Sequence, residues 1–324
     1  MANYKDIKGT TVQVKSGTLP TTYPQPEGEL YYNSGNGDYQ FLGKGAGTWA
    51  SGGNLNNGRT GVAGTRNATS SSSFLAFGGA TSPPYTWRDY VESYNGSAWS
   101  ETTELNTVRA QLSGAGVSST SAIAYAGSNS IPGSETDTGL TEIWDGSSWT
   151  EVADLNTATR GAGNAGTTTA AIAVSGNGRG TNVELWNGSS WSETGDVPAN
   201  TTFQSVFGVT TACVAAGGSP SPNKPLVYEF GGSSWTEIAE LNTGKSGGNA
   251  FGATSTAGIV TGSPNTTEEW NGSSWTEIAD QSSGKVECAS GGSTTSGLVG
   301  GGPPNVATTE EWLLSHSVKT VTTS

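Results

Sequence analysis

Large aromatic residues and short polar turns alternate along most of the chain in one recurring pattern. The pattern is clearest in residues 144–153, 186–194 and 270–279, where an aromatic residue, Asn-Gly or Asp-Gly, two serines and a Trp follow one another. Asn-Gly and Asp-Gly favour the positive φ angles of a tight β-hairpin, and the flanking aromatic residues are typical of strands. Each copy, including looser ones that begin at Tyr94 and Phe230, therefore predicts two strands and the turn between them.

The second Trp of each copy sets the period of the repeat. These residues are separated by 50, 50, 42, 44 and 40 positions, and they are Trp49, Trp99, Trp149, Trp191, Trp235 and Trp275. Periods of this length are typical of β-propellers and of helical arrays, and the abundance of Gly, Thr, Ser and Asn argues against helices. Each unit contains four strand-like segments, as a propeller blade does, with small residues expected near the axis and Trp farther out.

The starts of the innermost strands predict six blades. They are Arg59, Arg109, Arg160, Thr202, Lys245 and Lys285. The last blade has only three strands at the C-terminus, ending at residues 310–312, so the segment around Trp49 is expected to supply its fourth strand. Such closure of the ring removes exposed sheet edges. Residues 318–324 are expected either to compete for that place or to add an edge strand.

The first 45 residues share nothing with the repeat. Residues 1–26 are predicted to form an extended N-terminal arm or anchor with a Pro-rich end, and residues 27–45 a β-hairpin connector around a Gly- and Asn-rich turn. The propeller domain then comprises residues 46–324. An arm outside a closed domain commonly docks onto another component.

Several details of the repeat resemble the kelch motif: Gly-Gly after the second strand at 78–79, 217–218 and 301–302, Glu before the aromatic residue of the third strand, and a lone Trp in the fourth. The segment 52–59, the words Asn-Gly-Ser-Ser-Trp, and the openings MANYKDIKG and EGELYYNSGNGDYQF are similar to kelch-like virion proteins, of fibre or decoration type, from tailed phages of marine and cyanobacterial hosts. The resemblance covers about residues 46–314. It implies an all-β, six-bladed kelch-like β-propeller with an N-terminal extended arm. Gly-Ser replaces the double glycine at 127–128 and 262–263.

Composition excludes several classes of protein. The net charge is −13 with only 14 Lys and Arg, which leaves no basic footprint for nucleic acid phosphates. No apolar stretch is long enough to cross a bilayer, so membrane insertion is not expected. The two cysteines, Cys213 and Cys288, are too few for a disulfide framework and are interpreted as small buried hydrophobic residues.

Candidate catalytic groups are sparse. Acidic residues recur once per blade, so they are interpreted as outer-strand charges or as partners of the strand-start Arg and Lys. They are Glu142, Glu184, Glu229 and Glu269 in third strands and Glu101, Glu151, Glu193, Glu237 and Glu277 in fourth strands. His316 lacks neighbouring ligand residues in the sequence, and Asn-Gly turns explain the glycosylation-like Asn95, Asn187 and Asn271. No catalytic residue, metal site or cofactor is predicted.

The loops between second and third strands vary, whereas the turns between third and fourth strands are nearly uniform. Varied loops on a rigid scaffold usually carry recognition. The first long loop contains Tyr85, Trp87, Arg88 and Asp89, whose aromatic and guanidinium planes suit stacking on a sugar face or a flat polar surface. The structural alternative is that Trp87 covers the apolar base of a neighbouring loop.

The favoured function is a non-enzymatic phage virion structural protein, located in the virion and assembled in the host cytoplasm. Residues 1–45 are expected to dock on other virion proteins, and the propeller to be displayed as a tail-fibre tip or capsid decoration that contacts a host-surface glycan or protein. The alternative is a glycan-binding adhesin module that uses the variable loops, and a less favoured one is a propeller glycosidase or lyase. The sequence leaves open the position on head or tail, the receptor and the oligomeric state.

Overall fold

The computed structural model describes residues 8–15, 29–35, 37–81, 85–129, 136–219, 225–304 and 306–321. Every regular element among them is a β-strand, and no helix there could cross a membrane. The chain divides into two compact units, one of Met1–Thr48 with Leu313–Ser324 and one of Trp49–Trp312.

The strands follow one another at short intervals. The first half of the chain contains β1 (Lys8–Lys15), β2 (Glu29–Asn33), β3 (Asp38–Ser51), β4 (Ala63–Gly64), β5 (Phe74–Phe77), β6 (Ala80–Thr81), β7 (Thr86–Trp87), β8 (Val91–Tyr94), β9 (Trp99–Glu101), β10 (Ser113–Ser118), β11 (Ser121–Tyr125), β12 (Thr141–Trp144) and β13 (Trp149–Val152). The second half contains β14 (Gly163–Thr167), β15 (Ala170–Val174), β16 (Val183–Trp186), β17 (Trp191–Glu193), β18 (Ser205–Val209), β19 (Ala212–Ala216), β20 (Val227–Phe230), β21 (Trp235–Glu237), β22 (Ser246–Thr254), β23 (Ala257–Ser263), β24 (Thr267–Trp270), β25 (Trp275–Ile278), β26 (Ala289–Ser293), β27 (Ser296–Gly300) and β28 (Thr309–Thr320).

The unit Trp49–Trp312 is a six-bladed β-propeller, which confirms the predicted fold class. Blades one to five are the four-stranded sheets β4-β5-β8-β9, β10 to β13, β14 to β17, β18 to β21 and β22 to β25. In blade six, β26, β27 and β28 are followed by β3, so the strand that contains Trp49 completes the ring. Residues 318–320 continue β28 itself. They form neither a competing strand nor an added edge, in contrast to both sequence-based alternatives.

In the other unit, β1 pairs with β2 in parallel and β2 pairs with β3 antiparallel. Leu30 lies opposite Phe41 and Tyr32 opposite Tyr39, which is the pairing expected of a hairpin in residues 27–45. Tyr31 and Phe41 are both buried, and the register places their side chains on opposite faces of this hairpin. Of the predicted arm, residues 8–15 form β1, and residues 1–7 and 16–26 lie outside the described residues.

The core of the propeller lies between adjacent blades. Second strands such as β11 are buried along nearly their whole length because a blade packs on each side of them. The Trp of each fourth strand fills the gap to the preceding blade: the ring of Trp149 lies 5.4 Å from Phe77, and that of Trp191 lies 4.8 Å from Tyr125. The indole N–H of Trp149 also donates to the carbonyl of Thr103, at 3.1 Å. The repeated Trp residues therefore join one blade to the next.

Two of the predicted strand starts are displaced by one residue, although the number of blades is right. The backbone N–H of Gly127 donates to the carbonyl of Thr159, as that of Gly79 does to Arg109. Thr159, and not Arg160, therefore occupies the position of Arg109. The same comparison places Thr201, and not Thr202, at this position in blade four, because the N–H of Thr202 bonds Ser219 as that of Thr60 bonds Ala80. In blade three the sequence pattern favoured Arg160 because it is basic like Arg59 and Arg109, although the equivalent position is Thr159.

Candidate functional site

Six residues, one from each blade, surround the propeller axis just before the innermost strands. All have positive φ angles between 51° and 63°; we name this set the axial ring, and it comprises Gly61, Gln111, Gly161, Phe203, Gly247 and Glu287. Backbone hydrogen bonds connect members of successive blades, for example from Gln111 N to Gly61 O and from Gly161 N to Gln111 O, both at 2.9 Å. Side-chain-bearing residues in this conformation cost roughly 1 kcal/mol or more, and such positions often lie at functional sites.

A cavity of about 330 Å³, the mouth cavity, opens over the axial ring. Its wall includes Tyr85, Trp87, Gln111, Glu287 and Pro303. Blade one contributes the two aromatic residues, blade two the amide, and blade six the carboxyl group and the proline. Three neighbouring blades therefore build this cavity, and ring closure brings together residues more than 200 positions apart in sequence.

A small hairpin in the first variable loop holds the aromatic residues in place. Strands β6 and β7 pair antiparallel, with Ala80 opposite Trp87. The phenol of Tyr85 is half-exposed, with 51% of the residue surface accessible. The indole N–H of Trp87 is enclosed and has no hydrogen-bond partner among the described residues. Because this N–H is enclosed, Trp87 offers a bound molecule the surface of its ring at the cavity wall and not its donor.

The carboxyl group of Glu287 is the acidic group of the mouth cavity. Burial raises its pKa above the ordinary range, and hydrogen bonds from Thr60 and Gln111 offset part of that effect. The Thr60 hydroxyl donates to Oε2 at 3.3 Å. Sequence reasoning missed both Glu287 and Gln111. The available signal was their position: the corresponding residue is glycine in blades one, three and five.

The four residues of the predicted binding loop separate into two pairs. Tyr85 and Trp87 line the mouth cavity, and Arg88 and Asp89 do not. The guanidinium of Arg88 bonds the Thr81 hydroxyl at 3.1 Å and lies 5.2 Å from the ring centre of Tyr90. The backbone carbonyl of Asp89 accepts the N–H of Leu105 at 3.0 Å. Arg88 and Asp89 thus support the loop from outside the cavity.

The acidic residues two positions before the third-strand aromatic are buried. They are therefore not outer-strand charges, and the other interpretation, pairing with a strand-start cation, holds for Glu142 and Arg109. Glu142 accepts the N–H of Asn106 at 2.8 Å and the Nη2–H of Arg109 at 2.7 Å. This arrangement, the Glu clamp, fastens the connection entering a blade onto the third strand of that blade. Carboxylates at the same position in other blades bind the same connection; they are Glu92, Glu184, Glu268 and Glu310.

The cation of the Glu clamp differs between blades. Arg59 pairs with Glu92 at 2.9 Å and Lys245 with Glu268 at 3.9 Å. Both cations therefore pair with an acid of the repeat as expected, but with glutamates other than those that the sequence singled out. In blade three the partner of Glu184 is Arg179, from the loop between second and third strands, at 2.7 Å. Arg160 pairs with Asp137 instead. Burial lowers the pKa of Arg59 and Arg109, and the adjacent carboxylates oppose that shift.

The remaining acids of the repeat lie on the outside. Glu229 and Glu269 are half-buried on the third strands. The fourth-strand acids are exposed, as expected; they are Glu101, Glu151, Glu193, Glu237 and Glu277.

The Asn-Gly-Ser copies form closed local turns, in agreement with the turn interpretation. The side-chain oxygen of Asn187 accepts the backbone N–H groups of Ser189 and Ser190 at 2.9 and 3.0 Å, and Gly188 has a φ of 96°. In blade two, hydrogen bonds from the Ser147 hydroxyl and from the following backbone lower the pKa of Asp145 to about 2. The hydrogen-bonding groups of these turns are thus largely used within the turn.

Both cysteines are buried thiols. Burial raises the pKa of Cys288 to about 12 and raises that of Cys213 still further above its usual value. His316 lies on β28. In the part of the chain that the structure describes, no group of three or more His, Cys, Asp or Glu side chains is placed to hold a metal ion.

No protein-family model matches the chain, and no curated protein sequence matches it. The mouth cavity is therefore interpreted from its own geometry.

Proposed function

We propose that the chain is a non-enzymatic virion structural protein of a tailed phage. Residues 1–45 dock on other virion proteins, and the propeller is displayed outward as a tail-fibre tip or capsid decoration that contacts the host surface. The resemblance of the repeat and of the opening segments to kelch-like phage virion proteins supports this proposal. The observation that carries the display of the loop face is the mouth cavity, where Tyr85 and Trp87 stand beside Gln111 and Glu287.

Two variants test the two parts of this proposal separately. Deletion of residues 1–26, which also removes β1 from its pairing with β2, is expected to abolish incorporation into particles while the propeller unit keeps its unfolding temperature and its binding to host envelopes. Trp87→Ala is expected to be incorporated normally and to slow adsorption of the particle to host cells. Normal incorporation of the deletion variant would disprove docking through the arm. Normal adsorption of particles with Trp87→Ala would disprove host contact through the mouth cavity.

A glycan-binding module is the second candidate, and the contents of the mouth cavity favour it. Aromatic rings stack on the apolar faces of sugars, and Tyr85 and Trp87 both line the cavity. Glu287 and Gln111, which line the same cavity, supply acceptors and a donor. The cavity therefore presents the groups that a neutral or weakly polar saccharide needs.

A glycan array with the purified protein tests this candidate. Loss of the indole in Trp87→Ala removes a stacking surface, so affinity should fall roughly 10-fold. Tyr39→Ala is a matched control, because Tyr39 is an exposed aromatic residue, 46% accessible, that does not line the mouth cavity. Equal loss in both variants would contradict the assignment of the site. Hydrolysis of a bound polysaccharide by the wild-type protein would replace the non-enzymatic function with a glycosidase or lyase activity.

A further inference from the structure

A second, smaller cavity lies on the other side of the axial ring from the mouth cavity. This axial cavity, of about 50 Å³, is lined by ring residues and by polar side chains of the innermost strands, among them Arg66, Asn164, Gln204 and Asn249. Since a water molecule needs about 10–15 Å³ of such volume, the axial cavity accommodates roughly four particles of that size. Its contents are therefore small molecules or ions.

Arg66 places a positive charge in the axial cavity. Its residue surface is only 8% accessible. Nε donates to Asn164 Oδ1 at 2.9 Å, and Nη1 donates to the Ser290 hydroxyl and to the carbonyl of Ala250 at 3.2 Å. These acceptors are all neutral. Burial lowers the pKa of Arg66 to about 10, which leaves the guanidinium charged at neutral pH.

The other buried guanidinium groups of the propeller are neutralised. Arg59, Arg109 and Arg179 each form an ion pair with a buried glutamate. Among the described residues, no carboxylate lies within ion-pair distance of Arg66. A buried charge without a counter-charge is costly, so a negatively charged partner is expected beside Arg66.

Gln204 points to the same partner independently. The residue is 3% accessible and lines the axial cavity, and neither its Nε2 nor its Oε1 has a hydrogen-bond partner among the described residues. Its N–H groups are donors, as are those of Arg66. The guanidinium of Arg66 and the amide N–H of Gln204 both suit an anion, which accepts hydrogen bonds and donates none. A water molecule beside the anion can donate to Oε1 of Gln204.

The end of the axial cavity away from the ring is blocked by the connection between β4 and β5. Asn67 reaches across the axis, where its Nδ2 donates to Gly208 O and its Oδ1 accepts Gly166 N, both at 2.8 Å. The corresponding connection in blade two contains only Ser119 and Thr120. Access to the axial cavity is therefore from the mouth cavity, past the axial ring.

We propose that the axial cavity binds a small inorganic anion of about the size of chloride, held by Arg66 and by the amide N–H of Gln204. Glu287 also lines this cavity, at the end nearest the mouth cavity, and its carboxyl group accepts a hydrogen bond from the Thr60 hydroxyl. The competing arrangement is a chain of water molecules that connects Glu287 to Arg66 without an anion. The two arrangements differ in their response to halide and to Glu287→Gln.

The test uses the full-length chain. Crystals grown in sodium bromide are expected to show an anomalous bromide peak within the axial cavity. In solution, replacement of gluconate by chloride at constant ionic strength should raise Tm by on the order of 2 °C for each tenfold rise in chloride above its Kd. Arg66→Met and Gln204→Leu should abolish or greatly reduce this chloride dependence, whereas Glu287→Gln should retain it.

Gln281→Leu is the matched control, because Gln281 is also a buried glutamine with an unpartnered Nε2 but does not line the axial cavity. It should keep the full chloride dependence. Absence of a bromide peak from the axial cavity, or an unchanged chloride dependence in Arg66→Met, would overturn the proposal. If Arg66→Met does not fold, Gln204→Leu and the bromide peak decide in the same way. If the crystals show no bromide peak and Tm changes in Glu287→Gln but does not respond to chloride, the arrangement is the chain of water molecules between Glu287 and Arg66.

Discussion

Glu287 departs from the repeat at a position next to the mouth cavity. It occupies a position of positive φ at which three blades carry glycine, and its carboxyl group is buried beside Thr60 at the mouth cavity. The backbone cost of this conformation and the raised pKa of the carboxyl group both reduce the stability of the folded chain at neutral pH. A position that tolerates two such costs is better explained by binding than by packing.

Glu287→Gln is expected to stabilise the protein at neutral and higher pH. Because the folded state raises the pKa of this carboxyl group, its favourable contribution is present at low pH and is lost as pH rises from the ordinary carboxyl pKa of about 4.3 through the raised value. The variant should therefore exceed the wild type in Tm at pH 8 and match it near pH 4. Thermal unfolding across that range measures the difference. Glu277→Gln, at an exposed acid, should show no such trend.

At the scale of the element, the Glu clamp organises five of the six blades. In blade two it combines the backbone of Asn106 with the Arg109–Glu142 ion pair, both partners being buried. Blade four lacks the whole device at once: Pro198, Thr201 and Tyr228 stand at the positions of the asparagine, the cation and the glutamate. Joint replacement indicates that the clamp works as a unit, since a lone buried charge would be costly.

Arg109→Met is expected to lower the free energy of unfolding by about 3–5 kcal/mol, because Glu142 then remains buried without its cation. The double variant Arg109→Thr with Glu142→Tyr, which copies blade four, should lose less than the single variant. Arg160→Met breaks a partly exposed pair with Asp137 and should cost about 1 kcal/mol or less. Denaturant unfolding of the three variants measures these differences. A double variant less stable than Arg109→Met would refute the unit behaviour of the clamp.

Much of the propeller was predictable because its repeat is carried by large aromatic residues and tight turns. The Trp period gave the blades, and Tyr85 and Trp87 of the predicted binding loop lie at the wall of the mouth cavity. Gln111 and Glu287 were missed because they join the mouth cavity only when the ring closes and brings distant blades together. Arg179 was missed because it reaches Glu184 from a loop, outside the repeating register.

The propeller as a whole depends on one strand, β3, that no hairpin turn joins to the neighbouring strand of its own blade. Five fourth strands follow their third strands through a short turn, whereas in blade six β3 lies beside β28 from the other end of the chain. Trp49 anchors this strand: its indole N–H donates to Thr267 at 3.1 Å, and its ring lies 5.6 Å from that of Trp312. The ring therefore closes through non-covalent contacts alone.

Trp49→Ala is expected to destabilise the propeller more than Trp235→Ala does. Both residues are half-buried, and each donates one hydrogen bond to the preceding blade or its connection. Without the Trp49 side chain, β3 is held less firmly beside β28, because no turn joins these two strands. Separation of β3 exposes the edge of blade six, so aggregation on heating should also increase. Calorimetry and light scattering compare the two variants. Equal Tm values and equal aggregation would show that closure does not limit stability.

The ring closure by β3 also means that the propeller has no structural first blade. The six blades follow one another around the axis, and the seam lies in blade six because β3 there lies beside β28 from a distant part of the chain. A cyclic permutation that opened the chain at the turn of residues 187–190 would move the seam to blade three. The mouth cavity is built from blades one, two and six, so its wall would then no longer include the blade that carries the seam.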